Sequence, residues 1–112
     1  MTTKYKVLGQ SAPSSTSTVD LYTVPSSTNT VTSTMMICHR STVSASYNIA
    51  IRTAGAAIAN QHYIAFNSSV ASNDTIALTL GMSLGATDVV TVQANTTGVN
   101  NLGFTLFGSE IS

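Results

Sequence analysis

The sequence predicts an all-β domain: a two-layer antiparallel β-sandwich, Ig-like or jelly-roll-like, with about eight short strands in one domain over residues 1–112. Three observations carry this expectation. Apolar and hydroxyl residues alternate at a period of two through most of the chain. Turn residues interrupt the alternation at short intervals. No stretch combines the length and spacing of a stable helix. Ser and Thr make up 34 of 112 residues, and only eight residues carry a full charge. Hydroxyl residues alone would leave a chain disordered, but here they interleave with Val, Ile, Leu, Phe and Tyr. Threonine suits a strand through its branched Cβ and keeps an outward face wet without charge.

The first strands are expected at Tyr5 to Gln10 and Val19 to Val24, around a loop of clustered hydroxyls with Pro13. Pro25 ends the second, because it cannot donate to a ladder. Val31 to Arg40 is apolar on both faces at its centre, with Met35 and Ile37 pointing one way and Met36 and Cys38 the other. Such a strand is either central in a sandwich or pressed against a partner. Val43 to Thr53 alternates cleanly, with Tyr47, Ile49 and Ile51 opposite Asn48, Ala50 and Arg52. Ala54 to Asn60 reads as an irregular connection. In His62 to Asn67, His62, Ile64 and Phe66 share a face opposite Tyr63 and Ala65. Thr75 to Leu80 turns Ile76, Leu78 and Leu80 inward. Met82-Ser83-Leu84, between Gly81 and Gly85, is a short crossing segment between sheets or a strand broken by a bend. Val89 to Ala94 and Leu102 to Phe107 complete the set, the latter with Leu102, Phe104 and Leu106 inward.

Composition excludes several function classes. Four basic and four acidic residues make neither a stripe for phosphates nor a field for cations, so nucleic acid is not an expected partner. No apolar run approaches the ~20 residues that span a bilayer, and Val7-Leu8 is too short for a signal peptide, which predicts a soluble chain made in a cytoplasm. The sequons at Asn67, Asn73 and Asn95 then read as loops. Cys38 has no intrachain partner and reads as a small buried hydrophobe.

Gly81-Met82-Ser83-Leu84-Gly85 matches the G-x-S-x-G nucleophile elbow, which requires a strand-to-helix turn followed by an acid and a histidine. Here a strand follows, and His39 and His62 both precede Ser83, so a bend is the expected role. Cys38, His39 and His62 lack metal-ligand spacing, and His62 reads as a partly buried histidine with one hydrogen-bond partner. Asp20, Asp74, Asp88 and Glu110 stand singly, with Asp74 and Asp88 placed to cap turns. No Walker-type phosphate loop occurs. No catalytic, cofactor-binding or metal-ligating residue is therefore assigned. The tyrosines, Tyr63 among them, leave room for a carbohydrate platform assembled from distant strands.

Several segments share an order and spacing: Leu21-Tyr22-Thr23-Val24-Pro25, Ile37-Cys38-His39-Arg40-Ser41, Tyr47 to Arg52, Asn60 to Phe66, Asn73 to Leu78, and the tail Phe104 to Ile111. Taken together they resemble the small β-sandwich virion structural proteins of tailed bacteriophages, notably of cyanophages. The resemblance implies a non-enzymatic subunit located in the virion, most of all a head decoration (cement) protein. It implies the major capsid protein as partner and a homo-oligomer, often a trimer. A tail or fibre component is the alternative reading, and a carbohydrate-binding host-attachment module the next. The doubly apolar Met35 to Cys38 strand is the candidate interface element.

Overall fold

Alternation at a period of two becomes nine strands in the computed structural model, which describes residues 2–112. They are β1 (Thr3–Ser11), β2 (Val19–Thr23), β3 (Asn29–His39), β4 (Ala45–Arg52), β5 (Tyr63–Val70), β6 (Thr75–Thr79), β7 (Ser83–Leu84), β8 (Val89–Ala94) and β9 (Leu102–Ile111). Single 3-10 turns at Thr53–Gly55, Asn60–His62 and Thr96–Gly98 lie in the connections between them. No helix among the described residues is long and apolar enough to cross a membrane.

The strands form two antiparallel sheets: sheet I in the order β1-β9-β3-β6, with β7 also on β3, and sheet II in the order β2-β8-β4-β5. The pairs β1–β9, β2–β8, β3–β6 and β4–β5 fold the first half of the chain against the second as one long hairpin. Rolling that hairpin places alternate pairs in alternate sheets, which is jelly-roll connectivity. Of the two sandwich types that the alternation allows, the strand order is that of the jelly roll.

The inward rows are those the alternation marks. Met35 and Ile37 of β3 and Leu102, Phe104 and Leu106 of β9 pack against Tyr47 and Ile49 of β4 and Val90 and Val92 of β8, all in one buried cluster. β9 runs past Phe107 to Ile111 because its last residues pair with the start of β1, Thr3↔Ile111 and Tyr5↔Ser109. Bulges at Leu8 in β1 and Ser33 in β3 sit on either side of Phe107, where both neighbours of β9 slip by one residue. Such paired bulges sharpen the local twist of the sheet.

The structure corrects the sequence reading in three places. Cys38 is exposed on the outer side of β3, which no other described residue covers. Ile64 and Phe66 do not share a buried face with His62. His62 belongs to a 3-10 turn, and two irregularities in the β4–β5 register leave Ile64 and Phe66 exposed. Asn67 lies within β5, not in a loop. Of the two readings of Met82-Ser83-Leu84, the structure bears out the strand broken by a bend: β6 and β7 both pair with β3, the break falls at Leu80–Met82, and counting β7 separately gives nine strands. Thr32 stitches the break, its hydroxyl donating to Leu80 O and accepting from Met82 N at 3.1 Å.

Candidate functional site

The two sheets present opposite outer faces of different chemistry. On sheet I the register turns Tyr5 and Val7 of β1, Thr105, Phe107 and Ser109 of β9, and Val31, Met36 and Cys38 of β3 to the outside, with Thr75, Ala77 and Thr79 of β6 beside them. No Asp, Glu, Lys or Arg occupies an outward position on this sheet. Tyr5 is 86% exposed, Val7 45% and Val31 42%, which is unusual exposure for residues of this size. Tyr5, Val31, Ser33, Phe107 and Ser109 line an open groove of about 420 Å³, with Lys6 contributing from the edge strand.

Sheet II carries the polar face. Arg52 Nη2 pairs with Asp20 Oδ1 at 2.8 Å, and Arg52 Nε donates to Thr91 Oγ1 at 3.1 Å, tying β4 to β8 and β2. Thr91 Oγ1 in turn donates to Asp20 Oδ1 at 3.2 Å. Farther along, Asn48 Nδ2 donates to Gln93 Oε1 at 3.0 Å. Comparison with known families, curated proteins and solved structures finds no match. The functional reading therefore rests on these faces and on the residues the sequence marks.

Those residues stay apart. His39 is buried, and its Nε2–H donates to Val43 O at 2.6 Å, while Nδ1 has no hydrogen-bond partner among the described residues. His62 Nδ1 accepts from Ala59 N at 3.0 Å, the single side-chain bond expected of it. Neither histidine bonds Ser83. Cys38 and His39, neighbours in sequence, point to opposite sides of β3, as strand geometry requires. Asp74 Oδ1 accepts from Thr75 N at 2.9 Å, and Asp88 accepts from Ala54 N and Gly85 N at 2.8 and 2.9 Å, so both aspartates cap turns. No group of three His, Cys, Asp or Glu side chains stands close enough to hold a metal among the described residues.

Glu110 has a role that its isolation in the sequence conceals, because its partners lie 88 and 104 positions away. At one end of the sandwich Tyr22 Oη donates to Glu110 Oε2 at 2.5 Å and shares a 2.9 Å hydrogen bond with Thr30 Oγ1, while Lys6 Nζ reaches Glu110 Oε1 at 3.1 Å. The donated Tyr22 hydroxyl holds the Glu110 carboxyl below the usual carboxylate value against the opposing effect of burial, and Lys6 adds to the lowering. Burial, then the hydrogen bond to Glu110, pushes the Tyr22 phenol up to about 12, against the opposing bond with Thr30.

The signs follow from linkage. The Glu110 contribution is present above the ordinary carboxylate value of about 4.3 and is lost as pH falls through the lowered folded value. The Tyr22 contribution is present below about 10 and is lost as pH rises toward the folded value of about 12. Melting temperature against pH is expected to fall at both extremes. Glu110→Gln shrinks the acid limb. Tyr22→Phe shrinks both limbs, because it removes the phenol and the main donor to Glu110. Unchanged limbs in Tyr22→Phe would contradict the coupling.

Proposed function

We propose that this chain is a non-enzymatic structural protein of a tailed-phage virion, a decoration (cement) protein that docks on the assembled head through the outer face of sheet I. The observation that carries the reading is the absence of charge from every outward position of that sheet, together with exposed Tyr5, Val7 and Val31. Burying such a face against a coat lattice gains apolar area without desolvating ions. Its Thr and Ser hydroxyls can hydrogen-bond a partner's surface, and the doubly apolar centre of β3 lies within it. Jelly rolls also recur among viral capsid domains, which adds support at the level of fold analogy alone. The partners are the major capsid protein and further copies of this chain.

Cementing is mass action: a subunit that binds the assembled lattice and not free coat protein shifts the equilibrium toward the closed shell. Heads lacking this protein are expected to rupture at lower temperature and under milder osmotic shock than complete heads. Adding back the purified protein is expected to restore them. Equal survival with and without it would remove the cement role.

A further inference from the structure

A second site lies on the opposite face. At the Ser46–Asn48 end of sheet II's outer surface is a cleft of about 310 Å³, lined in part by Thr16, Asn48, Asn67, Gln93, Asn95 and Thr96. Its size is at the small end of the ~300–1,000 Å³ range of ligand clefts. Asn48 and Gln93 are register partners, and their amides are fixed in place: Asn48 Nδ2 donates to Gln93 Oε1, and Gln93 Nε2 donates to Thr16 O at 2.7 Å. Asn95 Oδ1 accepts from Gly98 N at 3.0 Å and Thr97 Oγ1 at 3.1 Å, which orients its amide nitrogen as a free donor.

The neighbouring strand is distorted at this point. Tyr47 pairs with Ser68 and Ile49 with Ala65, so Asn48 alone faces both Phe66 and Asn67. Asn67 takes up the extra residue in a left-handed conformation, φ 53°, and its backbone N–H donates to Asn48 Oδ1 at 2.7 Å. A bulge and a non-glycine residue with positive φ re-aim side chains, and both recur where proteins bind ligands. Here they leave the Asn67 side chain exposed in the cleft lining and Phe66, its chain neighbour just outside that lining, 61% exposed on the same outer surface. Tyr63, outward in register with Ala50, buttresses the Phe66 ring edge-on at 5.1 Å between centroids.

We infer that this cleft binds a neutral oligosaccharide, one or two sugar rings deep, with Asn48, Asn67 and Asn95 meeting its hydroxyls and Phe66 meeting the C–H face of a ring. The lining contains no charged side chain, so an anionic ligand finds no cation there. Its amides and hydroxyls would go unsatisfied under a purely apolar ligand. Fixed amides that offer both donor and acceptor suit the paired hydroxyls of a sugar, and an exposed aromatic face suits its C–H groups. A subunit docked through sheet I would turn this cleft away from the shell, but the cleft's chemistry does not depend on that docking.

The test is the full-length protein on an array carrying neutral, sialylated and sulfated oligosaccharides and unrelated peptides, followed by titration of the tightest ligand. Neutral glycans are expected to bind and the anionic ones and peptides to fail. Phe66→Ala and Asn67→Gly are each expected to weaken binding about tenfold or more. Both are expected to keep the wild-type melting temperature or exceed it, since Phe66 is exposed and glycine accepts the backbone of residue 67 without strain. A blank array, preferred binding of peptides or anionic glycans, or neutral-glycan binding that survives both substitutions would overturn the inference.

Discussion

Phe104→Ala is expected to destabilise the protein by about 3–5 kcal/mol, against total domain stabilities of roughly 5–15 kcal/mol. Phe104 is 1% exposed and is the largest fully buried side chain. Its ring meets Tyr47 edge to face, 6.1 Å between centroids, at the contact between β9 of sheet I and β4 of sheet II. Deleting it loses the transfer free energy of the ring and leaves a cavity between two sheets that their ladders prevent from closing. In urea unfolding the midpoint is expected to drop with the slope unchanged. Phe66→Ala, which removes the same group from a 61% exposed position, is expected to shift the midpoint little. A loss below about 1 kcal/mol for Phe104→Ala would mean that the two sheets do not pack as described.

The second large effect is expected from the smallest change, Gly9→Ala. Gly9 follows the Leu8 bulge, where β1 of sheet I passes close to β2 of sheet II. A β-carbon there would stand 2.2 Å from the backbone oxygen of Leu21 and 3.2 Å from its carbonyl carbon. The obstacle is main chain, at the register shift of β2 between the paired Asp20 and Tyr22, not the tip of a flexible side chain, so the strands must separate. Overpacking of this kind costs about 1–3 kcal/mol and sometimes more. Gly81 makes the control, since a β-carbon there meets nothing within 4 Å. Gly81→Ala is expected to be neutral, or to stabilise by up to about 1 kcal/mol through the unfolded chain. Equal midpoints for the two variants, read from urea or thermal unfolding, would show that the close approach at Gly9 is absent.

These two positions also mark what the sequence makes legible. Phe104 belongs to the Leu102-Phe104-Leu106 row, and local alternation is enough to turn that row inward. Gly9 is invisible to such a reading, because the oxygen it must clear belongs to a strand that only the fold brings near. Alternation likewise tells one face of a strand from the other but not whether either face is covered. That is why Cys38, apolar in company, is exposed. In β5 the period itself fails: the irregular pairing with β4 changes the side on which Ile64, Phe66 and Asn67 emerge. The uncharged face of sheet I is legible only as composition, few charges among many hydroxyls, until the strand order gathers Tyr5, Val31 and Phe107 onto one surface. Glu110 with Tyr22 and Lys6 follows the same rule, as a polar cluster assembled from both halves of the rolled hairpin.

The proposed role is tested most directly by a cryo-EM reconstruction of virions that contain this chain, at a resolution that orients the jelly roll. The expected result is density for the subunit on the outer surface of the head, with β1, β9 and β3 of sheet I against the coat lattice and the amide cleft of sheet II facing solvent. Density confined to the tail, or a head-bound subunit that turns Tyr5, Val31 and Phe107 to solvent, would contradict it.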